Sequence, residues 1–245
     1  MTAVYVYGIL GADAQVPEGL TGLGPSEKVS TIVHGDLAAM VSDVPTDRPL
    51  GTRDDLIAHE AVVDAVAAAT AVLPMRFPAV VEESGVVEEL LAPHHDRFVA
   101  ALQDLAGRSQ YTLKGRYEEA AVLGEVLEEH PEIRELQREI HGLPEDATYH
   151  QRLRLGELVV GAVEERRDAE AEQLLAALEP HVAGAVTRTP PQPDNVVDAA
   201  FLVERGHAQA FEDAVEQLGE RLHGRVRLRL LGPLAPYDFV PGVEE

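Results

Sequence analysis

The chain has 245 residues, enough for a well-buried core in one large domain or two small ones, and its 45% hydrophobic and 26% charged residues mark it as globular. Twenty basic residues stand against 43 acidic ones, a formal net charge of −23, which argues against duplex nucleic acid or an anionic membrane surface as partner. The absence of cysteine excludes disulfides, thiolate nucleophiles and cysteine-ligated metals, and with no tryptophan and few other aromatics, stacking platforms for bases or sugars are scarce.

In chain order, "AVYVYGIL" (Ala3–Leu10) is rich in Val and Tyr and closes at Gly11, which predicts a strand. A Gly/Pro-rich loop follows from Val16 to Pro25. "STIVHGDLAAMVSDV" (Ser30–Val44) reads as two short strands joined by a Gly35-Asp36 hairpin turn. From Thr52 to Ala71 the spacing becomes helical, with Leu56, Val63, Val66 and Ala67 on one face and Thr52 or Asp54 as N-cap. "AVLPMRFPAV" (71–80) reads as a short edge strand bounded by prolines. A second helix is predicted over about Gly85 to Leu105, kinked or restarted at Pro93 and stopped by Gly107. "QYTLKGRY" (Gln110–Tyr117) alternates as one more strand. The order strand, hairpin, helix, strand, helix, strand predicts an α+β domain over residues 1–117, ferredoxin-like or a variant of it, with both helices on one face of the sheet.

Residues 118–245 read as a helix-rich second α+β domain. "HPEIRELQREIHG" places Pro131 in a first turn, and the long run through Leu155, Leu158, Ala162, Leu174 and Leu178 carries an apolar stripe. "TRTPPQPDN" (Thr187–Asn195) is a proline-rich break. "NVVDAAFLVE" (Asn195–Glu204), a helix with Phe211, Val215 and Leu218 on one face, and "RVRLRLLG" then form a strand–helix–strand block. In its last strand Arg225, Arg227 and Arg229 share a face by period-two alternation, and the acids of the preceding helix (Glu212, Asp213, Glu216, Glu220) are the expected source of their neutralisation. The terminal "GPLAPYDFV" is expected to be extended.

No catalytic or ligand motif emerges. There is neither GxGxxG at a strand–helix junction nor GxxxxGK[ST], so phosphate binding has no support. His59-Glu60 with Asp64 lacks the second histidine of a zinc helix, since position 63 is Val, and "HHD" (His94–Asp96) scatters around a helix. Both are read as solvated helix faces. GxSxG is absent, and 43 acids make carboxylate pairs uninformative. The expectation is therefore no enzyme, no cofactor and no metal.

One residue stands out. Arg76 is a lone charge in an apolar run, and an unpaired buried guanidinium is costly, so it must reach water, pair or serve a site. An ion pair at a strand edge fits it best, with an interface role open. Arg76, Phe77, Arg227 and Tyr237 are the candidate structural or interface residues. No run is long enough to span a bilayer, and "MTAVYVYGIL" lacks a positive n-region and a cleavage site, so a cytoplasmic protein is expected.

The landmarks "VYVYGI", "GDLAAMVSDV", "HEAVVDAV" leading into "VLPMRF", "DAAFLV" and "GPLAPYDFV", in that order along the whole chain, resemble the gas vesicle accessory proteins of the GvpF/GvpL family. The resemblance implies two α+β parts, no catalysis, and a role in building gas vesicles through contact with the small hydrophobic shell protein and other gas vesicle accessory proteins. The competing readings are a motif-poor enzyme or small-molecule sensor on a ferredoxin-like fold, and a general chaperone-like adaptor. A deep polar pocket with convergent titratable groups would favour the first pair.

Overall fold

A computed structural model describes residues 2–23, 28–45, 48–189, 192 and 194–241. Its elements are β1 (Ala3–Gly11), β2 (Ser30–His34), β3 (Leu37–Asp43), α1 (Arg53–Ala69), β4 (Leu73–Pro74), β5 (Val80–Glu82), α2 (Glu83–Gly85) running into a π-helical turn Val86–Leu91, α3 (His95–Leu105), β6 (Arg108–Tyr117), α4 (Glu119–Glu129), α5 (Pro131–Ile140), α6 (Tyr149–Leu178), β7 (Gly184–Thr187), β8 (Asn195–Glu204), α7 (Ala208–Arg221) and β9 (Val226–Leu234). The expected proline-rich break over Thr187–Asn195 and the end of the expected loop at Pro25 fall partly outside the described residues.

The chain divides into two compact units that are not contiguous in sequence. One comprises residues 1–111, 202–206 and 231–245; the other comprises 112–201 and 207–230. The sequence reading placed a single cut after Tyr117. The observed division differs because β8 and β9, far along the chain, contribute their ends to the first unit.

In the first unit β1 lies between β3 on one side and β4 and β5 on the other, with β2 beyond β3, all antiparallel. Seven successive residues of β1, Val4 to Leu10, are buried, as a central strand covered on both faces requires. The two faces hold different cores. Val4, Val6 and Ile9 join Leu37, Ala39 and Val41 of β3 against Val86, Leu90, Leu91, Phe98, Leu102 and Leu105. Tyr5, Tyr7 and Leu10 join Ala38 and Met40 against Val62, Val63, Val66 and Ala67 of α1.

Ile9 shares a face with Val4 and Val6 although their spacing is odd, because the register slips between Val6 and Gly8. One inserted residue reverses which side chains face which core. Gly8 is needed at this slip: a Cβ there would meet the Leu73 carbonyl oxygen at 2.8 Å.

Two expectations are corrected here. The helices α1 and α3 cover opposite faces of the sheet rather than one. Strand β6, expected to complete this sheet, pairs instead between β8 and β9 in a second antiparallel sheet of order β7-β8-β6-β9. The α+β class stands; the simple ferredoxin-like arrangement does not describe this sheet. Periodicity fixes each strand's faces but not which sheet it joins, since pairing depends on residues distant in sequence.

In the second unit α4, α5 and α6 form a helical group, with Pro131 opening α5, and Phe201 of β8 packs on Phe211 of α7 at 5.5 Å between ring centres. The second helix of the sequence reading restarts at Pro93 as expected, with α3 beginning at His95. The "GPLAPYDFV" tail is not extended throughout: Tyr237–Phe239 form a 3-10 turn.

Candidate functional site

The first unit carries a small aromatic pocket of about 350 Å³ lined by Leu56, His59, Glu60, Arg76, Phe77 and Tyr237. Helix α1 supplies three of these residues. Its start is fixed by a capping box, in which the Thr52 hydroxyl accepts from the Asp55 amide and the Asp55 carboxylate accepts from the Thr52 amide at 3.0 Å. Asp55 is 1% exposed and is also held bidentately by Arg48, which keeps its carboxyl well below the usual range.

This cap sets the rotation of α1. The buried face runs through Asp55, His59, Val62, Val63, Val66 and Ala67, while Leu56, expected to be buried, is 40% exposed. Apolar spacing alone predicts a core stripe of Leu56, Val63, Val66 and Ala67. Two polar residues, Asp55 and His59, occupy the stripe's first turns instead, and their hydrogen bonds offset the cost of burial.

His59 corrects the expectation of a solvated histidine: it is 1% exposed. Its Nδ1 lies 2.9 Å from the Tyr5 hydroxyl, and its Nε2 lies 3.0 Å from both the Met75 carbonyl oxygen and the Tyr237 hydroxyl. A carbonyl can only accept, so Nε2 carries the proton and donates to Met75. Nδ1 then accepts from Tyr5, whose buried hydroxyl would otherwise hold a proton with no acceptor. Burial lowers the pKa of His59, in accord with a neutral ring.

The ring is enclosed by aromatics. Tyr7 stacks on it at 5.7 Å and 15°, and Phe77 meets it edge-on at 5.9 Å. Tyr7 in turn donates to Ser42 at 2.9 Å and accepts from the Leu23 amide at 2.7 Å. Tyr237 is brought in by the tail: the Ala235 amide donates to Asp64 of α1 at 2.9 Å, and the Asp238 amide donates to Gln110 at 3.0 Å. Gly232 allows this return, since a Cβ there would lie 2.6 Å from the Tyr111 ring.

Arg76 and Phe77 reach the pocket because the expected strand over 71–80 is broken. Its strand pairing with β1 is confined to Leu73–Pro74 and Val80–Glu82, with single backbone hydrogen bonds at Met75 and Ala79, and Arg76 to Pro78 leave the sheet. Arg76 is exposed, and no carboxylate of the described residues lies within 4 Å of it. The expected ion pair is thus absent among the described residues, and Arg76 lies exposed where the chain leaves the sheet.

Of the four candidate residues, the structure brings together Arg76, Phe77 and Tyr237. Arg227 lies elsewhere, on β9 in the second unit, where it pairs with Glu118 at 2.6 Å. Its neighbour Arg225 binds Glu125 and Glu170 of α4 and α6, and Arg166 binds Glu125, Glu129 and Glu170. Arg225 and Arg227 of the arginine stripe are paired within the chain, while Arg229 has no ion pair among the described residues. The partners are α4, α6 and Glu118 rather than the acids of α7, because Leu228 and Leu230, on the opposite face of β9, border the surface lined by α7.

A larger groove of about 940 Å³ occupies the second unit between α6 and strands β7 and β8, with Ala171, Leu175, Val196 and Phe201 among its apolar lining. Among the described residues no group of three or more His, Asp or Glu side chains could hold a metal ion, and no helix is long and apolar enough to cross a membrane.

Comparison with known proteins defines the family. Residues 3–241 match the family described as gas vesicle synthesis protein GvpL/GvpF. The chain is 37% identical over 244 residues to gas vesicle protein F of a Streptomyces species, covering 97% of this chain and 99% of that one, and 33% identical to gas vesicle protein L of the same strain, covering 98% and 94%. In fold it is similar to the crystal structure of GvpF from an Anabaena species, with a TM-score of 0.84 and 24% identity over the full length of both chains. The chain belongs to the GvpL/GvpF family of gas vesicle synthesis proteins.

Proposed function

We propose that this protein is a non-catalytic accessory factor of gas vesicle formation, associated with the vesicle in the cytoplasm, which binds the small hydrophobic shell subunit and works alongside other accessory proteins. The observation that carries the reading is the family match over 239 of 245 residues, positions 3 to 241, spanning both units.

The physical case is as follows. A wall that excludes liquid water needs very apolar subunits, and these aggregate when free. A partner of net charge −23 can cover part of their apolar surface while its charge keeps the complex dispersed. Two kinds of surface suit such a subunit: an open sheet edge such as β2, where Val33 is 55% exposed, and the apolar groove beside α6.

Co-expression with a gas vesicle shell subunit, followed by size exclusion of the soluble fraction, tests the reading. Co-elution is expected. A shell subunit that stays wholly insoluble while this protein elutes alone would reject direct binding. If neutralising a block of exposed glutamates leaves the shell subunit equally soluble, the charge part of the account is wrong.

A further inference from the structure

The pocket beside His59 holds two hydrogen-bond donors that no group of the described chain accepts from. The first is Arg76, exposed and without a carboxylate of the described residues within 4 Å, in a chain where acids outnumber bases 43 to 20. The second is the Tyr237 hydroxyl. Because His59 Nε2 carries a proton and donates, the Tyr237 oxygen is an acceptor in their 3.0 Å contact, and its own proton has no acceptor among the described residues. Burial and the nearby Asp64 and Glu60 carboxylates raise the pKa of Tyr237, so the donor is retained at any physiological pH.

Two donors without acceptors lining one small pocket are complementary to a carboxylate. Leu56 and Phe77 supply the apolar part of the wall, beside His59 and Glu60, and the flanking Ile57 and Val80 are 49% and 44% exposed. Glu60 on the same pocket repels any anion, and a free inorganic anion gains nothing from the apolar rim to offset that repulsion, whereas a carboxylate carried on an apolar segment does.

We infer that the pocket formed by Arg76, Tyr237, Phe77 and Leu56 docks a side-chain carboxylate that a partner protein presents from an otherwise apolar segment. For the partner's identity, the shell subunit, this rests on the assembly reading above. The recognition chemistry does not.

Two arms separate these levels. In the first, the Arg76 Nε–Hε signal of the full chain is followed by NMR during titration with 4-methylpentanoate and with the isosteric 4-methylpentanamide. The carboxylate is expected to move this signal with a Kd on the order of millimolar, as suits so small a ligand, and the amide is not. Arg76→Met should weaken binding at least about tenfold, read by ligand-observed NMR, and Tyr237→Phe by about three- to tenfold, with circular dichroism unchanged. Equal shifts from acid and amide, or none from either, would overturn carboxylate recognition.

In the second arm, shell subunit co-expressed with wild type or with Arg76→Met is quantified in the soluble complex. Loss with Arg76→Met alone supports the assigned occupant. Equal retention by both proteins overturns that occupant and leaves the assembly reading intact. Failure of wild type itself to retain shell subunit rejects the assembly reading and the occupant together, and the first arm still decides the pocket's chemistry.

Discussion

The His59 cluster of the first unit and the arginine–glutamate network of the second both place polar groups in partly or fully buried positions, by opposite means. On the buried side of His59 the groups are neutral: Tyr5 bonds the imidazole and Tyr7 bonds Ser42, each by a single hydrogen bond between side chains closed to solvent. Around Arg166 and Arg225 the groups are charged, and their side chains remain 15–59% exposed. Desolvating a charge costs far more than desolvating a neutral group with a hydrogen-bond partner, so the closed site is neutral and the charged one stays wet. Loss of one partner should therefore matter more in the neutral cluster, where water cannot substitute.

The largest effect that would test this contrast lies in the apolar shell rather than in either polar cluster. Phe98→Ala, at a ring 1% exposed, is expected to cost about 3–5 kcal/mol in urea unfolding, more than any polar change below. Tyr5→Phe removes the donor to His59 Nδ1 and leaves a buried acceptor empty, an expected cost of about 1–3 kcal/mol by the same measurement. In the charged network Arg225→Met should cost only about 1 kcal/mol, because Arg166 still serves Glu125 and Glu170. That difference should shrink further in high salt, whereas the Tyr5 effect should not. Equal costs for the two substitutions would break the comparison.

The pH dependence sharpens it. His59 has its pKa lowered in the folded chain, so the unfolded chain binds more protons at mildly acidic pH. Its contribution is complete above the unfolded value of about 6.5 and is lost as pH falls through that value. Denaturation at pH 7.5 and 5.5 should show reduced stability at the lower pH, and His59→Gln should flatten that difference. Asp55, also lowered, contributes above the ordinary aspartate range and gives way only in strong acid, so the two are separable by pH. The smallest effect is Arg76→Met, which should alter stability by no more than about 0.5 kcal/mol, since its guanidinium has no carboxylate partner among the described residues.

Much of this was legible in the chain itself. Thr52 as N-cap, Gly35-Asp36 as hairpin turn, Pro93 as a break and the alternating "RVRLRLLG" are local signals, each with a local physical cause, and all appear in the structure. The ordered landmarks also resembled the family that the comparisons establish. His59 was not legible. "HEAVVDAV" places it next to an exposed glutamate, and only the cap at Asp55, the tyrosines of β1 and the returning tail put it inside.

The sequence by itself determined where elements start and stop, which residues alternate or share a helical face, and the net charge that bounds the partners. The tertiary structure alone decided that β6 leaves the first sheet, that α1 and α3 take opposite faces, and that Arg76, Phe77 and Tyr237 meet at one pocket though 160 positions separate the last two. The division follows from range. Capping, turn chemistry and periodicity act over a few residues, whereas sheet pairing and the burial of a polar side chain depend on groups that only folding brings into contact.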